Sequence, residues 1–257
     1  MSLYTISKMS ERLVIVPTYN EIENIDRIIA AVMQLPLAID LLIVDDNSPD
    51  GTGKRIKDLQ PQYNDRLHLI ERSGKLGLGT AYIMGFQWAL KKGYLYICEM
   101  DADFSHDPND LPRLFEACSD QNADLAVGSR YVSGVNVVNW PMSRVLISYF
   151  ASVYVRIVTR MKVRDATAGF VCYRREVLEV INLDKIQFKG YAFQIEMKFK
   201  AWKYKFNVVE LPIIFTDRRE GTSKMSGKIV SEAIFGVITL KVASWFRSYK
   251  REIAVGE

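Results

Sequence analysis

The sequence predicts an α/β fold on a mostly parallel central sheet with helices on both faces. Three observations carry this. Short apolar runs recur through the first half, at Arg12–Val16, Leu41–Val44, Leu67–Ile70, Tyr94–Cys98 and Asp124–Val127. They are continuous rather than alternating, as strands covered on both faces are. Helical periods separate them: residues 21–33 place Ile22, Ile25, Ile28, Ile29 and Val32 on one face, and residues 80–91 read as another helix. Dense polar clusters follow the first, second and fourth runs, at Thr18–Glu21, Asp45–Asp50 and Asp101–Asp107. In a parallel sheet ligands bind beyond the carboxyl ends of the strands, so these clusters belong on one rim.

The second half is less regular. Residues 143–161, 191–203 and 228–246 read as helices, and 206–215, with Pro212 inside it, as an edge strand. Neither a repeat nor a linker interrupts the 257 residues, so one domain spans 1–257, long enough for a sizeable core.

Composition excludes several classes. A net charge of +4 is too small to indicate a nucleic-acid partner. Cys98, Cys118 and Cys172 have no CxxC spacing and the only histidines are His68 and His106, which argues against a zinc site or a disulfide framework and for a reducing cytosol. No secretory signal pattern opens the chain. The uncharged stretch Val145–Val155 has 11 residues, against the roughly 20 that a membrane span needs.

Asp101-Ala102-Asp103 follows the fourth strand directly. Two carboxylates at a strand end can hold Mg²⁺ or Mn²⁺ through hard oxygen ligands, and such a metal can bridge a diphosphate. An acidic turn contains the same triplet by chance, so its place on the rim is what raises its interest. In Pro17-Thr18-Tyr19-Asn20-Glu21, Asn20 and Glu23 form a capping-box pattern at the start of a helix. Capping leaves Tyr19 unexplained, and its ring can meet a nucleobase. Asp45 and Asp46 read either as a turn or as acceptors for a base or ribose. Gly51-Thr52-Gly53-Lys54 and Gly77-Leu78-Gly79 fail as phosphate loops, the first lacking the earlier glycine and the second the third. The segment 217–227, DRREGTSKMSG, combines small residues with cations suited to closing over a phosphate-rich substrate.

Taken together, VIVPTYNE (14–21), LLIVDDNSPDGTG (41–53), GLGTAY (77–82), MDADFSHDP (100–108), VGSRY (127–131), AGF (168–170) and DRREGTSKMSG (217–227) resemble the inverting glycosyltransferases of family 2, with the GT-A fold. More narrowly they are similar to dolichol-phosphate and polyprenol-phosphate mannose synthases. The resemblance implies a Rossmann-like, nucleotide-sugar-binding half over residues 12–130, an acceptor-side half over 131–227 and a C-terminal amphipathic helix over 228–257. It implies that Pro17, Tyr19, Glu21, Val44 and Asp46 frame the nucleoside. Asp101, Ala102 and Asp103 would hold the metal and donor diphosphate, with Asp103 the principal ligand. Arg130 and Arg144 would meet the acceptor phosphate, and Arg218 and Lys224 the donor diphosphate. Ser105 stands where one relative has glutamine.

The implied reaction is inverting transfer of mannose from GDP-mannose to a polyprenyl phosphate. A phosphate monoester with a second pKa of about 6 is already anionic and needs positioning more than a strong base. The implied setting is the cytoplasmic face of a membrane, met peripherally or through a membrane-anchoring partner protein. Apolar positions Val145, Leu146, Tyr149, Val153, Ile157, Ile229, Ile234, Phe235, Ile238, Trp245 and Phe246 suit either a lipid groove or ordinary core packing. UDP-glucose as donor, a polysaccharide acceptor, and a nucleotide-sugar-binding protein without turnover are the competing readings. The intact DxD argues against the last.

Overall fold

A computed structural model describes residues 10–190, 192–217 and 227–251, with side chains in the last span from 235 onward. The chain runs β1 (Arg12–Thr18), α1 (Ile25–Met33), β2 (Asp40–Asp45), α2 (Thr52–Leu59), β3 (Leu67–Glu71), α3 (Leu78–Lys92), β4 (Tyr96–Glu99), α4 (Leu111–Ser119), β5 (Leu125–Ser129) and β6 (Val137–Val138). It continues through α5 (Met142–Thr159), β7 (Val171–Arg174), α6 (Arg175–Val180), α7 (Ala192–Lys203), β8 (Val208–Pro212), β9 (Phe215–Thr216) and α8 (Gly227–Ala243).

Seven strands form one sheet in the order β3-β2-β1-β4-β7-β5-β8. β1, β2, β3 and β4 pair in parallel, as do β5 and β8. Between these groups β7 runs antiparallel to both β4 and β5. The mostly parallel sheet with helices on both faces therefore stands, with one reversed strand at its middle that the apolar runs did not reveal. β8 is the edge strand, and Pro212 closes it where a missing N–H costs no ladder bond.

Successive side chains of β1 enter opposite layers. Val14 and Val16 pack with Ile28, Ile56 and Leu114 beneath α1, α2 and α4, whereas Leu13 and Ile15 pack with Phe86 and Phe193 beneath α3 and α7. Burying each aliphatic side chain contributes about 1.5–3 kcal/mol, which explains why the strands are apolar throughout. Close approach selects glycine at two positions of α3. A Cβ at Gly85 would stand 2.8 Å from Ile15, and one at Gly79 would stand 2.8 Å from the ring of Phe193.

The start of α1 differs from expectation. Asn20 adopts the left-handed region (φ 59°) and the helix begins at Ile25 with Asn24 at its cap, without a side-chain capping bond. Tertiary bonds displace the capping box: the Glu21 and Ile22 amides donate to Thr52 Oγ1 and Asp50 Oδ2 across the rim. A third layer joins α5, α7 and α8 through Val155, Phe199, Val237 and Leu240. Among the described residues no helix is long and apolar enough to cross a membrane.

Candidate active site

The polar clusters after β1, β2 and β4 meet on one rim, and β3 adds a fourth contribution. Thr18 and Asp45 are register partners at the ends of β1 and β2. Thr18 Oγ1 donates to Asp45 Oδ1 at 2.7 Å, and Ser48 donates to the same carboxylate through its hydroxyl (2.6 Å) and its amide (2.9 Å). Asp46, expected to frame the nucleoside, is buried in an ion pair with Arg72, which continues to Thr80 Oγ1 at 2.6 Å. Arg72 directly follows β3. Extending the rim rule to the third strand finds it in the sequence.

Pro17 and Val44 are also register partners. β1 is an inner strand, yet proline fits at position 17 because β4 pairs only as far as Ile15. Tyr19 lies beneath the Lys75 ammonium, 4.7 Å from its ring centroid. Glu21 accepts a hydrogen bond from Asn24 at 2.9 Å.

After β4 the chain turns sharply. Phe104 adopts φ 59°, a conformation bulky side chains rarely take, so the turn is strained. Its ring is held under Arg27, 4.9 Å from the guanidinium carbon. The Ser105 amide donates to Asp103 Oδ1 at 3.1 Å, and the Asp101 amide donates to His106 Nδ1 at 3.2 Å. Burial pushes the His106 imidazole down to about 4, so the ring is neutral near pH 7 and acts as an acceptor at Nδ1. Its 3.9 Å approach to Asp101 Oδ2 is therefore not an ion pair. The ring stacks on Phe170 with 4.8 Å between centroids. Beneath Asp101, Glu99 is fully buried and its carboxyl is pushed up to about 8 by that burial. Gln194 bridges it to Lys198, whose ammonium burial pushes down to about 8. Lys198 Nζ in turn donates to Ala168 O at 2.6 Å.

Asp101 and Asp103 open onto a cavity of about 480 Å³ that extends to α5. Two of the three sequence-predicted arginines, Arg130 and Arg144, line it as well. Arg130 is buried and forms a bidentate pair with Asp165, Nε to Oδ2 at 2.7 Å and Nη2 to Oδ1 at 2.6 Å, and Nη2 also reaches Thr167 Oγ1 at 2.8 Å. Burial alone would raise the Asp165 carboxyl, but Arg130 holds it below the usual carboxylate range. Arg130 thus organises the 165–167 turn as well as contributing charge. Arg144 pairs with Asp217 at 2.8 Å and lies over the Trp140 ring at 4.1 Å. Arg218 and Lys224 lie outside the described residues.

The donor set suits a divalent cation. Asp101 and Asp103 present carboxylate oxygens on one cavity wall, the ligands Mg²⁺ and Mn²⁺ take. Among the described residues no third His, Cys, Asp or Glu completes a cluster with them, so substrate oxygens and water would fill the other positions.

Comparison with known proteins identifies the family. Residues 13–181 match the model of glycosyl transferase family 2, and the chain belongs to that family. It is therefore a glycosyltransferase, and its fold is the family's GT-A fold. It is 47% identical over 241 residues to the polyprenol monophosphomannose synthase of Mycolicibacterium smegmatis, covering 94% of this chain and 89% of that protein. It is 44% identical over 243 residues to the undecaprenyl-phosphate mannosyltransferase of Micrococcus luteus, covering 95% and 99%. Among solved structures, the glucosyl-3-phosphoglycerate synthase of Mycobacterium tuberculosis with Mn²⁺, UDP and product matches with a TM-score of 0.65 at 15% identity, over 91% of this chain and 79% of that one. A mannosyltransferase from Pyrobaculum calidifontis with GDP-Man and Mn²⁺ matches with a TM-score of 0.56 at 16% identity, over 94% and 66%.

Proposed function

We propose that this glycosyltransferase moves mannose from GDP-mannose to the phosphate of a polyprenyl phosphate, with inversion at the anomeric carbon. The observation that carries the reading is the shape of the cavity beside Asp101 and Asp103. Its polar end holds Asp101, Asp103, Arg130 and Arg144, and its wall then follows α5 through Ile147, Ala151 and Tyr154. From Arg144 these positions recur at three- to four-residue intervals, so a cation leads a mostly apolar stripe about 15 Å long. An amphiphile with an anionic head and an alkyl tail matches that order. The relatives' names, which specify polyprenol and undecaprenyl phosphates and mannose, support the same acceptor and sugar.

In this reading Thr18, Asp45 and Asp46 shape the nucleoside end of the rim, with Tyr19 beside it, and Pro17, Glu21 and Val44 form its frame. Asp101 and Asp103 would hold Mg²⁺ or Mn²⁺, with Ala102 between them as part of the diphosphate-binding turn. The bound cation would neutralise the departing diphosphate. Arg130 and Arg144 orient the acceptor phosphate, whose oxygen forms the bond to the anomeric carbon as the bond to the diphosphate breaks. Arg218 and Lys224 would join on the donor side.

Exposed apolar side chains favour peripheral membrane contact at the cytoplasmic face. Leu146, Tyr149, Phe150 and Ile157 on α5, Phe235 and Ile238 on α8, and Trp245 and Phe246 beyond it are all exposed. Core packing does not account for them, and α5 and α8 lie against each other. A membrane-anchoring partner protein would use the same faces; binding to protein-free vesicles tells the two apart. The deciding assay offers polyprenyl phosphate and a panel of radiolabelled nucleotide sugars with Mg²⁺ or Mn²⁺. Mannolipid from GDP-mannose is expected, and no lipid-linked product from any donor would overturn the reading.

A further inference from the structure

Two residues that line the cavity beside α5 carry buried nitrogen donors without hydrogen-bond partners among the described residues, Nε1 of Trp140 and Nε of Arg144. They belong to neighbouring groups. The Arg144 guanidinium lies 4.1 Å from the Trp140 ring centroid, that of Arg130 lies 5.5 Å from it, and Phe215 meets the indole edge-on with 5.3 Å between centroids. A buried donor without a partner is costly, and native proteins keep few of them. Indole and guanidinium nitrogens donate and never accept. A sugar hydroxyl, which both gives and receives, would leave its own proton without a partner against this pair. An anionic oxygen can accept from such donors without leaving a proton of its own unmet, and the Arg130 and Arg144 guanidinium groups beside them are paired with Asp165 and Asp217 through other nitrogens of their own.

We infer that Trp140 is a substrate-binding residue whose indole N–H, together with Arg144 Nε, donates to the phosphate of the lipid acceptor. The inference rests on the acceptor class proposed above and adds a residue that the motif-based reading passed over. The indole serves twice. Its face holds Arg144 by stacking, and its edge supplies a neutral donor that fixes which phosphate oxygen points towards the sugar.

Replacing Trp140 with 3-benzothienylalanine keeps shape and stacking but removes the N–H, and Trp140→Phe gives a second, genetically simple variant. Loss of one charge-assisted hydrogen bond predicts a rise of roughly tenfold in KM for polyprenyl phosphate, with KM for the nucleotide sugar and the melting temperature nearly unchanged. Equal rises in both KM values, or an unchanged acceptor KM, would overturn the assignment. A readout independent of turnover is the indole ¹⁵N–¹H resonance of Trp140, assigned by its loss in Trp140→Phe. It should move downfield with farnesyl phosphate and stay in place with farnesol or GDP. No movement with farnesyl phosphate, or equal movement with GDP, refutes the contact. Failure of the wild-type enzyme to mannosylate any polyprenyl phosphate would instead refute the proposed function and leave the resonance test to decide the phosphate contact.

Discussion

The two ends of the cavity rim are built in opposite ways. At the nucleoside end every polar group described above has a protein partner: Asp45 receives Thr18 and Ser48, and Asp46 receives Arg72, which also reaches Thr80. At the proposed acceptor end the indole N–H of Trp140 and Nε of Arg144 have no hydrogen-bond partner among the described residues. A closed network is rigid before any ligand arrives, whereas unmet donors gain most when an anion docks. In the proposed function the nucleoside end is therefore preorganised and the acceptor end would be completed by its substrate.

Substitutions should separate these ends, and the largest effect lies between them. Asp103→Ala should lower kcat by roughly a thousandfold or more with an unchanged circular-dichroism spectrum, since it removes charge at the reacting diphosphate. Retained turnover would take Asp103 out of the metal site. Asp45→Ala breaks the closed network and leaves the Thr18 and Ser48 hydroxyls unmet, so it should cost about 2–3 kcal/mol and lower the melting temperature by roughly 4–12 °C. Arg144→Ala should do the reverse. Its partner Asp217 is partly exposed, and such pairs contribute about 0–1 kcal/mol, so stability should hold while the acceptor KM rises. If Asp45→Ala changed only binding and Arg144→Ala changed only stability, the contrast would be inverted.

Gly79→Val tests the seam between α3 and α7. Overpacking against Phe193 should cost about 1–3 kcal/mol by urea denaturation. The effect confined to the narrowest range of conditions concerns His106. Its folded pKa of about 4 lies below the unfolded value of 6.5, so the unfolded chain binds more protons between those values. The stability from the neutral ring is complete above pH 6.5 and is lost as the pH falls towards 4. His106→Gln should flatten that part of a melting-temperature profile, and an unaltered profile would show that the ring titrates normally.

Sequence reading reached β1 to β5, α1 and α3 because fully buried parallel strands and amphipathic helices leave strong periodic signals. It missed β7, whose four residues Val171–Arg174 are too short to stand out and whose reversed direction depends on where the chain returns. α2 was hidden because TGKRIKDL has only Ile56 and Leu59 as large apolar residues, and α4 because Pro112 sits in its first turn. At the site, the motif residues within the described span lie on the rim or line the cavity, and Arg218 and Lys224 fall outside that span. Arg72 and Trp140 were not found because one required applying the rim rule to every strand and the other becomes apparent only when its indole is seen without a partner.

The apolar lining of the cavity bears on fidelity. Water is itself a nucleophile towards an activated sugar, and each sugar lost to it consumes a nucleotide donor without product. Ile147, Phe150, Ala151, Tyr154 and Ile213 make this wall mostly apolar, with Ser148 among them, so in the proposed function little along it would hold water beside the sugar, whereas a lipid phosphate would be carried there by its own tail. In the proposed function the surface that takes the lipid would thus also set the ratio of transfer to hydrolysis.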